Sequence, residues 1–159
     1  AAKIKCEHPD TTADLGFRHF TLTEPSTKTL DKLETFTPDE NGGLYIKNNI
    51  IDEFGIPTVL ATWLVRDGYG FTAPVQTIFF SGYTAYYMGK HLYFINQDLT
   101  AVAIETIVVR YETDGTFNPE NAVLFGYNFK WSEIEALQIN LKRLKDTEKN
   151  LRINFDIRY

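Results

Sequence analysis

Cys6, His8 and Asp10 stand two residues apart in Cys6-Glu7-His8-Pro9-Asp10. On an extended strand they would share one face, and thiolate, imidazole and carboxylate are all competent metal ligands. Pro9 interrupts such a strand, and zinc sites usually draw paired ligands from separate elements. No His-Glu-x-x-His and no EF-hand loop is present, so no metal ligand is assigned. A nucleophilic Cys6 would need an activating histidine, and only His8 is close in sequence. A small apolar residue buried in a first strand accounts for Cys6 more simply. The serines are Ser26, Ser81 and Ser132, none in a Gly-x-Ser-x-Gly elbow. Gly68-Tyr69-Gly70 lacks the third glycine of a dinucleotide fingerprint and reads as a turn led by Asp67-Gly68. No cofactor is expected.

One acid stands out. Glu105 lies within Ala103-Ile104-Glu105-Thr106-Ile107, and a carboxylate inside an apolar strand must be paired, exposed or raised in pKa. A half-exposed sheet face is the simple account. A general acid in a pocket is the functional one.

Aromatic residues carry the stronger signal. Residues 44–129 hold 17 of the 23 aromatics but 12 of the 37 Asp, Glu, Lys and Arg residues. Tyrosine buries a ring and keeps a hydroxyl for hydrogen bonding. Tyr69, Tyr83, Tyr86 and Tyr87, with Trp63, are therefore the candidate binding residues. The segment Ser81–Gly89 reads as two tight turns around a short strand, which would put Tyr83, Tyr86 and Tyr87 near a loop surface. Such a surface suits stacking on sugar rings or anchoring a protein interface.

The elements that must position these residues read mainly as strands. Leu44–Ile51 and Thr58–Val65 are joined by a turn, and Thr58–Val65, apolar on both faces, reads as a central strand. Val75–Phe80, His91–Ile95, Ala122–Trp131 and Leu151–Tyr159 follow. Ala101–Glu112 is rich in Val, Ile and Thr, which favours a long strand. Ser26–Phe36 carries about two helical turns. Ser132–Lys145 has a helical stripe of Ile134, Leu137, Leu141 and Leu144 behind a capping pattern, yet Leu137, Ile139 and Leu141 also alternate. We read it as a strand; a helix over 133–145 would shift the fold to α+β. The expected fold is all-β, one domain over 1–159: an antiparallel, jelly-roll-like sandwich, or alternatively a closed calycin-like barrel.

Composition bounds the function. With 16 basic and 21 acidic side chains the net charge is −5, and only residues 130–159 are net positive. A nucleic-acid binder carries a basic footprint, so no nucleic-acid partner is expected. No run approaches the ~20 apolar residues of a membrane helix, so no membrane insertion is expected. The start Ala1-Ala2-Lys3, without methionine, leads us to expect a secreted or periplasmic protein, with a cytoplasmic one as the alternative; the single cysteine fits either compartment. The first functional reading is a non-catalytic binding or assembly module using the aromatic loops, with a glycan or protein partner, self-association included. The second is a barrel that carries a small apolar ligand. The third is an enzyme using Glu105.

Overall fold

Five runs of β-branched and aromatic residues form one open sheet. The structure, a computed structural model, describes Cys6 and residues 19–34, 49–143 and 153–159. Strands β1 (Gln76–Phe80), β2 (Tyr83–Met88) and β3 (His91–Phe94) make an antiparallel meander. Ser81 and Gly82 join β1 to β2 with φ of 45° and 89°, the paired positive values of a type I′ hairpin turn. Strand β4 (Asn121–Phe125) then runs parallel to β3, and β5 (Asn154–Arg158) parallel to β4. The spatial order is β1-β2-β3-β4-β5.

Parallel neighbours need crossovers, and helices supply both. Helix α3 (Ala101–Thr113) links β3 to β4, and α4 (Trp131–Arg143) precedes β5. Both lie on one face, where Ala103, Ile104, Ile107, Tyr111, Ile134, Leu137 and Leu141 pack with Ile78, Phe80, Leu92, Phe94 and Leu124. Helices α1 (Thr27–Glu34) and α2 (Asn49–Arg66) lie ahead of the sheet in the chain. Helix α2 covers part of the opposite face, with Val59, Leu60, Trp63 and Leu64 on Tyr93, Ile95, Val123 and Phe125.

The all-β sandwich and the calycin-like barrel are thus both corrected. The fold is mixed α and β, with helices on both sides of a single unclosed sheet. Three strand readings fail for one reason. Thr58–Val65, Ala101–Glu112 and Ser132–Lys145 lie in or largely in α2, α3 and α4, and each has an apolar set that fits period 3.6 as well as period 2. In α3, seven β-branched residues disfavour a helix by about 3 kcal/mol in all. Burying Ile104, Ile107 and Tyr111 returns roughly 1.5–3 kcal/mol each. Thr100 caps the helix by accepting from the Ala103 amide at 3.2 Å. In α4 the capping contact runs from the Lys130 amide to Glu133 Oε2 at 2.8 Å, two residues ahead of the Ser132 pattern, and Ile139 is left exposed. Of Leu44–Ile51, the last three residues belong to α2, and 44–48 lie outside the described residues.

The helical reading of α3 has a sharp test. On a strand, Ile107 and Val109 would share a face; on this helix Ile107 is fully buried and Val109 is exposed. Ile107→Ala should lower unfolding free energy in urea by ~2–5 kcal/mol, and Val109→Ala by about 0.5 kcal/mol or less. Equal losses would contradict the helix.

Candidate functional site

The densest polar cluster among the described residues lies on the α2 side of the sheet. The register β3–β4–β5 aligns Tyr93, Val123 and Asp156, and next along, Phe125 with Arg158. Strand alternation places Asp156 and Arg158 on that same face. Asp67 follows α2 directly. The chain turns there, with Asp67 N–H donating to the Trp63 carbonyl at 2.8 Å, and this brings its carboxylate over the sheet.

Arg158 grips Asp67 with both terminal nitrogens, Nη2 to Oδ1 at 2.7 Å and Nη1 to Oδ2 at 3.0 Å. Tyr93 donates its hydroxyl to Asp67 Oδ2 at 2.7 Å. Arg158 Nε donates to Asp156 Oδ2 at 2.7 Å. The side chains of Arg158 and Asp67 are 6% and 8% exposed, so the pair is desolvated, whereas Asp156 reaches solvent. Beneath the guanidinium lies the Trp63 ring, its centroid 5.4 Å from Cζ, a cation–π placement.

A second group continues the cluster. His91 stacks on Tyr93 at 5.8 Å between centroids, and its Nδ1 is 2.8 Å from the Tyr69 hydroxyl. That hydroxyl accepts the Lys90 amide N–H at 3.1 Å, leaving its own proton free to go to His91.

The electrostatics follow from these contacts. Burial pushes the Asp67 carboxyl upward, but hydrogen bonds from Arg158 and Tyr93 and the guanidinium charge outweigh it, so Asp67 lies below its ordinary value. Burial, then the hydrogen bond to Asp67, hold Tyr93 far above the ordinary phenol value. Asp67 is therefore a carboxylate and Tyr93 a neutral donor at neutral pH. Both Asp67 oxygens already accept hydrogen bonds. The cluster is suited to fastening α2 and β5 onto the sheet, rather than to proton transfer.

Where, then, are the expected site residues? Trp63 and Tyr69 are in this cluster, with Tyr86 half-buried beside it. Tyr83 and Tyr87 point to the opposite face. Tyr83 is buried and donates to the Asn96 carbonyl at 2.8 Å, and Tyr87 packs on Phe117 at 5.4 Å between centroids. The joint aromatic loop surface is corrected: these three tyrosines stand in a strand paired on both sides, facing alternate layers. Glu105 is exposed on α3, not in a sheet, and the pocket acid proposed from it falls with the strand. Cys6 is exposed, not buried; His8 and Asp10 lie outside the described residues. No group of three or more His, Cys, Asp and Glu side chains able to hold a metal occurs among the described residues. Among them also, no helix is long and apolar enough to cross a membrane.

Asp67, Tyr93, His91, Asp156 and Arg158 were not singled out from the sequence. The available signals were that Asp67 is the lone acid in residues 67–97 and that Arg158 alternates with apolar residues.

Residues 54–151 match a family profile described as Type III R-M EcoP15I C-terminal domain. The chain is 33% identical to the Mod subunit of the type III restriction-modification enzyme StyLTI of Salmonella typhimurium, an alignment covering 95% of this chain and 26% of that protein. It is 30% identical to the EcoPI Mod subunit of Escherichia phage P1 over 63% of this chain and 15% of the relative. The EcoP15I Mod subunit of Escherichia coli is 28% identical over 64% of the chain. The chain thus spans about a quarter or less of these relatives' length. These matches overturn the readings as a glycan-binding module and as an apolar-ligand carrier. They also overturn the expectation of no nucleic-acid partner, because these relatives are named as Mod subunits of restriction-modification enzymes.

The Asp67–Arg158 pair can be tested by substitution and by acid. Arg158→Met leaves a carboxylate buried without its partner and should cost ~3–5 kcal/mol in urea unfolding; Asp67→Leu combined with Arg158→Met should recover most of that loss. A carboxyl whose folded pKa is lowered stabilises above its unfolded value, ordinarily 3.8 for Asp67, and the contribution disappears as pH falls through the folded value. Stability of the wild type should therefore drop with acid below that pH, and Asp67→Asn should flatten the drop. An unchanged acid profile in Asp67→Asn would count against the assignment.

Proposed function

We propose, from the premise that this chain belongs to the Type III R-M EcoP15I C-terminal domain family, that it is a structural domain of the Mod subunit of a type III restriction-modification enzyme and serves DNA modification as part of that subunit. The observation that carries this reading is the span of the match. Residues 54–151 take in most of α2, the strands β1 to β4 and both crossover helices, so the likeness covers all of the sheet but β5 and is not confined to an isolated motif.

Two features support a structural role. Among the described residues, the buried charged pair Asp67 and Arg158 satisfy each other, and their partners Tyr93 and Trp63 are core residues. Surface charge is mixed: Lys90 pairs with Glu120 at 2.7 Å and Arg110 with Asp114 at 3.4 Å. Phosphate contacts along a duplex require clustered Lys and Arg. In this reading DNA is the partner of the whole subunit, and its main phosphate contacts and its chemistry come from other parts of that subunit.

Two measurements on the full-length Mod subunit test the proposal. Removing the segment equivalent to residues 49–159 should lower modification, read as protection of DNA from restriction by the assembled enzyme, by about tenfold or more, a barrier change of ~1.4 kcal/mol. The 159-residue chain alone should bind duplex DNA more weakly than the ~10⁻⁴ M limit of ordinary non-specific binding at physiological salt, by fluorescence anisotropy. Full protection by the truncated subunit would overturn the proposal. Tight, salt-dependent binding by the isolated chain would overturn the division of labour.

A further inference from the structure

We draw no further inference here: the strongest candidate, the outer part of the sheet face on the α2 side, where Phe79 of β1 stands 71% exposed beyond the core that α2 makes with β3 and β4, is an apolar patch, and nothing in the structure shows what covers it.

Discussion

A guanidinium in the last strand, held against a carboxylate 91 residues earlier, fixes how the two sides of this sheet are assembled. Arg158 sits on β5, which pairs with β4 at the edge of the sheet among the described residues. Backbone pairing alone does not choose its register strongly, because the ladder can slip. A slip of one residue would turn Asp156 and Arg158 into the face packed by α3 and α4, away from Asp67 and into an apolar layer. The cost of burying an unpaired charge there is several kcal/mol. The ion pair thus sets register more than it adds stability, since a well-packed apolar pair of similar volume could match its net energy. The same inward charges blunt β5 as an edge for foreign strands.

Trp63 extends the constraint to α2. Its ring lies under the guanidinium and against Phe125 and Tyr93, at 5.8 and 6.2 Å between centroids. Helix, sheet and last strand therefore meet around one indole. Because Asp67 also accepts from Tyr93, displacing α2 would leave the Tyr93 phenol without its acceptor and the Arg158 guanidinium with Asp156 alone. The helix is seated by polar contacts at one end and apolar burial along its length. The opposite face, held by α3 and α4, is almost wholly apolar and needs no such fastening.

The meander was legible in the sequence because turn chemistry and alternation agree there. Ser81-Gly82 and Gly89-Lys90 bracket Tyr83–Met88, and the strands on either side alternate between layers. The helices were not legible because their apolar sets satisfy both periods, and only long-range packing decides between them. In α3 the burial of Ile107 and exposure of Val109 separate the two readings, and no local propensity could. The same ambiguity misplaced the tyrosines: once β2 is flanked by β1 and β3, Tyr83 and Tyr87 fill one layer and Tyr86 the other. Of the cluster that fastens the fold, Trp63 and Tyr69 were visible as aromatics. Asp67 looked like a turn residue and Arg158 like one polar residue of an alternating strand, because their pairing spans 91 residues of chain.

Net charge misled for a physical reason. A formal charge of −5 argues against wide phosphate contact by this surface, but it says nothing about a duplex held elsewhere on a larger subunit. At physiological ionic strength a surface charge is screened over ~8 Å. A domain of this charge set back from the duplex by two such lengths exerts little repulsion on it. In the proposed role, the acidic balance would discourage a duplex from settling on this surface. Charge arithmetic on one domain therefore bears on what that domain touches, and the partner of the whole enzyme has to be read from the family.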